Sequence, residues 1–138
     1  MTDRTRRSAA PRRVALLATA VVVLLVGLLV HRFGSGTVGD ISGDALYAVF
    51  IYLLFAALLA RSARTLPAAL AIIFCTAIEF LQLTDLPQAW GRAFPPSALV
   101  LGSGFAQRDL LVYPASVLVA LVVDVCVSRI ARRSRTRR

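Results

Sequence analysis

Histidine, cysteine and lysine are scarce in this sequence. It has one histidine (His31), two cysteines (Cys75 and Cys126) and no lysine among its 138 residues. Both cysteines lie inside apolar runs, without metal-ligand spacing or a nearby histidine, so we interpret them as buried, unpaired thiols. A histidine-rich metal site or a Ser-His-Asp triad would have to be built around His31 alone. We therefore expect no metal and no cofactor.

Charge is also scarce. Charged residues make up 17% of the chain and hydrophobic residues 58%, whereas a soluble domain has about 25% charged residues and at most about 50% apolar ones. The apolar residues also form long unbroken runs, a pattern typical of membrane helices and not of a soluble core. The sequence predicts an all-α, polytopic integral membrane protein with four transmembrane helices.

The four predicted spans cover residues of about 14–33, 45–60, 66–83 and 110–127. The first run exceeds the apolar core of a cleavable signal peptide and lacks a small-residue cleavage pattern after it, so we interpret it as a helix. Gly34 to Gly43 is predicted to be a short loop, with the second helix starting at Ser42 to Asp44. The predicted organisation is a basic segment (1–13), a membrane domain (14–128) and a basic tail (129–138).

The longest predicted connection, residues 84–109, has its own composition. Three prolines interrupt any long helix, and three aromatic residues suit the lipid headgroup region. We expect this connection to fold back, either as a re-entrant loop or along the membrane surface. These residues are Pro87, Pro95, Pro96, Trp90, Phe94 and Phe105.

Arginines are distributed unevenly about the predicted spans. Thirteen of the sixteen lie in residues 4–13, 61–64 and 129–138, and only Arg32, Arg92 and Arg108 lie on the other side. By the positive-inside rule, both termini are predicted to lie in the cytoplasm, with the protein in the inner (plasma) membrane. The basic ends should attract anionic lipids. Because they carry no aromatic residues for base stacking, we expect no nucleic-acid partner.

Glu79 is the most informative polar residue, because it lies inside the third predicted span, where an ionised carboxylate is costly. It needs a proton or a partner, and Arg92 is our first choice among the three outer arginines. Gln82, three residues later, lies on the same helix face. The alternatives left open are a structural clasp and a ligand or catalytic site.

Asp44 and Asp109 lie at the predicted starts of the second and fourth helices, where each is expected to act as a cap. Antiparallel topology should bring both to the end of the third helix. The predicted polar cluster therefore contains Asp44, Glu79, Gln82, Arg92 and Asp109, with Arg32 and Arg108 as additional candidates. Asp124 lies at the opposite end of the fourth helix, near Arg129, where we expect structural pairing.

The residues around these positions resemble a known family. The segments 43–48 (GDALYA), 78–83 (IEFLQL) and 101–105 (LGSGF), with Arg92 and Asp109-Leu110, are similar to the bacterial domain of unknown function 2809 family and, through it, to the wider VanZ-like group. The resemblance covers about residues 32–123. It implies a four-helix membrane protein and carries Asp44, Glu79, Gln82, Arg92 and Asp109 over as motif positions, without a reaction. The VanZ-like group is associated with glycopeptide (teicoplanin) resistance, which points loosely to the cell envelope.

Two functions remain open at this point. In the first, the outer cluster binds or processes a lipid or cell-wall precursor, with arginine for anionic groups and Glu79 as general acid or base. In the second, the protein is a non-enzymatic membrane scaffold or accessory subunit, and the cluster only fixes helix register. Transport is the weaker alternative, because four short helices with an apolar midplane enclose little space for a pore.

Overall fold

The computed structural model describes residues 3–102 and 104–136, and this part of the chain is all-helical. Helices form because a backbone in an apolar solvent must satisfy its own N–H and C=O groups. There are six in the described residues: α1 (Asp3–Phe33), α2 (Gly36–Leu58), α3 (Thr65–Leu81), α4 (Leu86–Ala93), α5 (Ser97–Leu101) and α6 (Asp109–Thr136). Residues 3–13 and 129–136 are thus parts of α1 and α6.

The connection between α1 and α2 is much shorter than predicted. Only Gly34 and Ser35 lie outside the two helices, and the expected loop from Gly34 to Gly43 is wrong. Gly36 has a φ of 67°, a left-handed conformation that glycine adopts without strain and that reverses the chain here. Because α2 begins at Gly36, the backbone N–H and C=O groups of the Gly- and Ser-rich residues 36–43 make helical hydrogen bonds. Asp44 consequently lies inside α2 and does not cap it.

Helix α2 is the centre of the bundle. It packs against α1, α3 and α6, and α3 also packs against α6. The interfaces contain many small side chains, which allow close approach of helices where lipid provides little hydrophobic driving force. The fully enclosed core residues are Ala48, Tyr52, Ala56, Ala71, Cys75 and Val117.

The outside of the bundle is apolar. Large hydrophobic side chains on α1, α3 and α6 are exposed, the reverse of a soluble surface. Within residues 3–102 and 104–136, three helical stretches are long and apolar enough to cross a membrane: Ala10–Phe33, Gly36–Leu58 and Asp109–Ala131. A fourth candidate combines Thr65–Leu81 with Leu86–Ala93, which are bent by 91° relative to each other. The prediction of a multi-pass, all-α membrane protein is confirmed at this level.

The two ends of the bundle have different polar residues. At one end, which we call the termini end, Arg12 of α1 and Arg64 just before α3 meet Asp124 of α6. At the other, the loop end, Glu79 near the end of α3 contacts Ala106 and Tyr113. Helix α3 therefore reaches from one end to the other.

Candidate functional site

The connection from α3 to α6 folds back over the loop end. We call residues 84–108 the cap segment; it contains the two short helices α4 and α5. Its backbone is held by three side chains of the bundle. Tyr47 Oη donates to Val100 O over 2.8 Å, and Gln82 Nε2 donates to Leu101 O over 2.5 Å. The Ala106 N–H donates to Glu79 Oε1, also over 2.5 Å.

Glu79 is completely enclosed, with 0% of its surface exposed. One carboxylate oxygen accepts the Ala106 N–H, and the other accepts the Tyr113 hydroxyl of α6 over 3.3 Å. Hydrogen bonds from a backbone amide and a phenol therefore compensate the burial of this acid. The carboxylate links α3, α6 and the cap segment.

The expected contact between Glu79 and Arg92 is not found. Arg92 lies in the last turn of α4, is exposed, and makes no ion pair in the part of the chain that the structure describes. The reason is the sharp bend between α3 and α4, which directs the short helix away from the axis of α3. Arg32 also makes no ion pair among the described residues, and its guanidinium lies 5.9 Å from the ring centroid of Phe33.

Gln82 fits closely against the cap segment. The residue is 8% exposed, and its Oε1 has no hydrogen-bond partner among the described residues. Gly102, beside it, has a φ of 70°, and a Cβ at this position would collide with Gln82 Nε2. Only glycine combines this backbone conformation with so close an approach. Gln82 and Gly102 thus fix where the cap segment rests.

Asp44 and Asp109 meet at the loop end, as the antiparallel topology predicts. Their carboxyl groups lie close to each other, and Asp109 is buried. Arg108 Nε donates to Asp109 Oδ1 over 3.3 Å, and Arg108 Nη2 lies 3.5 Å from Asp40 Oδ2. Arg108 is therefore the arginine of this cluster, and it also pairs with Asp40, an exposed acid at the rim that the sequence did not indicate.

Two tyrosines were also missed by sequence reasoning. Tyr47 and Tyr113 make an edge-to-face contact, with ring centroids 6.4 Å apart, and each hydroxyl makes one of the bonds described above. The available signal was their position within apolar runs, because a buried phenol usually finds a hydrogen-bond partner. We define the loop-end cluster as Asp44, Tyr47, Glu79, Gln82, Arg108, Asp109 and Tyr113.

A second polar cluster surrounds Asp124 at the termini end. Asp124 Oδ2 accepts Arg12 Nη2 over 2.8 Å and Tyr52 Oη over 3.1 Å. Arg64 Nε lies 3.1 Å from the same oxygen, and Ser128 Oγ donates to Oδ1 over 3.3 Å. The structural pairing expected for Asp124 thus involves arginines far away in sequence. These five residues, the Asp124 cluster, join α1, α2, α6 and the start of α3.

The two clusters differ in what they offer chemically. The loop-end cluster is acidic and largely enclosed, and most of its donors and acceptors bind one another or the cap backbone. The Asp124 cluster is basic, with two guanidinium groups for one carboxylate. Among the described residues, no group of three or more His, Cys, Asp or Glu side chains could hold a metal ion.

One comparison with known proteins gives a match. A family model described as "Protein of unknown function (DUF2809)" matches residues 33–117, which confirms the resemblance to this family and leaves the wider VanZ-like grouping a prediction. The match contains the whole loop-end cluster, whereas Arg12 and Asp124 lie outside it. No curated protein and no solved structure matches the chain.

Proposed function

Since the chain belongs to the DUF2809 family, whose function is unknown, we propose that it is a non-enzymatic membrane scaffold or accessory subunit in which the loop-end cluster clasps the cap segment. The observation that carries this proposal is the complete enclosure of Glu79. Both of its carboxylate oxygens are occupied, one by the Ala106 N–H and the other by Tyr113.

A general acid or base must reach the proton that it transfers, directly or through one water. Glu79 would reach an external molecule only if the cap segment moved away. The hydrogen bonds of Tyr47, Gln82 and Glu79 to the backbone of Val100, Leu101 and Ala106 oppose that movement. The same bonds give the segment a defined outer surface on which another protein could assemble.

The proposal includes an orientation. Counting α3 with the bent α4 as one span gives four crossings, and thirteen arginines then lie with the termini. This asymmetry favours a cytoplasmic termini end and a loop end on the outer side of the inner membrane. Attaching a water-soluble label in intact cells to a cysteine introduced at Ser35 or at Ser62, in a variant without Cys75 and Cys126, tests it. We expect labelling at residue 35 and not at residue 62. The opposite result would show that the orientation is the reverse of the one proposed.

The clasp is tested by Glu79→Gln and Tyr113→Phe, compared with Asp85→Asn, an exposed carboxylate at the same end of the bundle. We expect the two clasp variants to unfold at lower temperature in detergent, with a loss of about 1–3 kcal/mol, because each leaves a buried group unpaired. Asp85→Asn should match the parent protein. If Glu79→Gln keeps its stability and abundance but changes cell lipid composition, the clasp proposal fails.

A second candidate is binding of an envelope component, such as a lipid headgroup or a cell-wall precursor. It is favoured by the rim of the cluster, where the side chains of Arg108 and Asp40 are 40% and 63% exposed. It is also favoured by Gln82 Oε1, which has no hydrogen-bond partner in the described part of the chain. The resemblance to the VanZ-like group also favours the envelope. The exposed Arg108 guanidinium would contact an anionic group.

This second candidate is tested with Arg108→Gln. Arg92→Gln serves as the matched control, because Arg92 is an exposed arginine of the same end that makes no ion pair with any described residue. Binding predicts altered envelope lipids or altered glycopeptide sensitivity in a well-expressed Arg108→Gln strain only. Identical behaviour of the two strains and the parent would eliminate this candidate.

A further inference from the structure

The termini end has more positive charge than its carboxylate can balance. Four arginines, Arg12, Arg13, Arg61 and Arg64, surround the connection between α2 and α3. Among the described side chains, Asp124 is the acid that pairs with two of them, Arg12 and Arg64. Each guanidinium carries five N–H donors and no acceptor, so this region has a large surplus of donors.

Two of these four arginines, Arg12 and Arg13, make hydrogen bonds within the protein. Arg12 donates to Ala60 O and to Asp124, each over 2.8 Å, and Arg13 donates to Leu58 O over 3.3 Å. These contacts fix the start of α1 against the end of α2. They also occupy Asp124 Oδ2, the oxygen nearest to Arg64.

Arg64 is held in place without being satisfied. Its Nε lies 3.1 Å from Asp124 Oδ2 but makes no hydrogen bond, and this nitrogen is buried. Its two terminal nitrogens have no hydrogen-bond partner among the described residues. The side chain is 24% exposed, so an external acceptor can reach the outer edge of the guanidinium. Nε faces Asp124, so the exposed edge of the guanidinium is the part that remains available to an acceptor outside the chain.

The chemistry of that acceptor follows from the donors. A planar guanidinium binds the oxygens of a phosphate in pairs, and the local excess of positive charge favours an anion. Arg61, three residues before Arg64, is exposed on the same connection. This connection joins two apolar helices at the end of the bundle, where lipid headgroups lie. The structure assigns to Arg64 and Arg61 a phosphate site that holds the headgroup of an anionic lipid, next to the Asp124 cluster and independent of the loop-end clasp.

The test uses the full chain purified in a neutral maltoside detergent. Phosphatidic acid, phosphatidylcholine or inorganic phosphate is titrated in, and the unfolding temperature is followed. We expect phosphatidic acid to raise the unfolding temperature to a plateau. Phosphatidylcholine and inorganic phosphate should leave the unfolding temperature nearly unchanged. Arg64→Lys keeps the charge beside Asp124 but loses the planar fork, and should raise the half-saturating lipid concentration about tenfold. Arg61→Gln should raise the half-saturating lipid concentration severalfold. Arg92→Gln, at the other end of the bundle, should leave it unchanged.

Each alternative outcome overturns part or all of this assignment. Equal stabilisation by inorganic phosphate would identify a free-phosphate site and remove the lipid. Unchanged lipid binding by both Arg64→Lys and Arg61→Gln, or an equal loss in Arg92→Gln, would reduce the effect to general surface charge. If Arg64→Lys does not fold, Arg61→Gln against Arg92→Gln still decides the question, because Arg61 makes no contact with Asp124.

Discussion

Tyr52 in α2 donates its hydroxyl to Asp124 in α6 over 3.1 Å, and its ring is completely enclosed by the bundle. The same carboxylate oxygen accepts Arg12 of α1. A phenol in the central helix and a guanidinium in the first helix thus share one acceptor in the last helix. The packing of α2 depends on a residue that lies outside the segment matched by the family model.

Tyr52→Phe is expected to lower the free energy of unfolding by about 1 kcal/mol, because it removes one hydrogen bond and keeps the ring. Unfolding in detergent, measured for this variant alone and combined with Asp124→Ala, checks the cause. Most of the loss should disappear when Asp124 is absent, since the hydroxyl then has lost its acceptor. Full additivity of the two substitutions would show that the bond contributes nothing.

Asp124→Asn is expected to destabilise the bundle by about 2 kcal/mol, because Arg12 and Arg64 lose their counter-charge. The loss is below that of a fully buried pair, since the two arginine side chains are 22% and 24% exposed. Asp85→Asn, which removes an exposed carboxylate, is the control in the same unfolding measurement. Equal stability of the two variants would contradict the role assigned to Asp124.

Gly102→Ala is expected to loosen the cap segment and cost at least about 1 kcal/mol, because a φ of 70° strains alanine and its Cβ meets Gln82. Gly104→Ala is a close control, two residues away, with open space around the added methyl group. Thermal unfolding and protease cleavage of the cap segment measure both variants. Combining Gly102→Ala with Gln82→Ala should recover only the steric part of the loss, and equal behaviour of the two alanine variants would refute the contact.

Exchanging the charges of Glu79 and Arg92 in a double variant should not restore the stability that Glu79→Arg loses. Glu79→Arg places an unpaired charge in an enclosed site and should cost more than about 3 kcal/mol, whereas Arg92→Glu changes only an exposed side chain. The double variant should resemble Glu79→Arg in membrane abundance and in detergent stability. Recovery in the double variant would establish a contact that this structure does not contain.

The sequence predicts the helices and part of the loop-end cluster. Run length alone places most of α1, α2, α3 and α6, because only a helix satisfies so long an apolar backbone. Antiparallel order then brings Asp44 and Asp109 together. The sequence predicts a start of α2 at Ser42 to Asp44, later than the observed Gly36, because Gly and Ser usually indicate a loop in water-soluble proteins. Arg108, and not Arg92, belongs to the loop-end cluster because of the direction of α4. That direction results from packing and cannot be read from the neighbouring residues in the sequence.

The Asp124 cluster shows a different kind of limit. A carboxylate within an apolar run requires a partner, and that requirement is visible in the sequence. The sequence does not show which residue the partner of Asp124 is. Arg12 lies 112 residues before Asp124, whereas Arg129 is much closer along the chain. Tyr52 gave no signal beyond its place in the second apolar run.

The link between Arg12 and Asp124 also orders events during synthesis. A ribosome makes Arg12 and Arg64 well before it makes Asp124, so the first three long helices exist for a time while two arginines still lack their acid. Insertion of α6 delivers that acid to residues of α1 and α2 that are already in place. The contacts of Asp124 with Arg12 and Tyr52 can therefore form only after α6 has been synthesised.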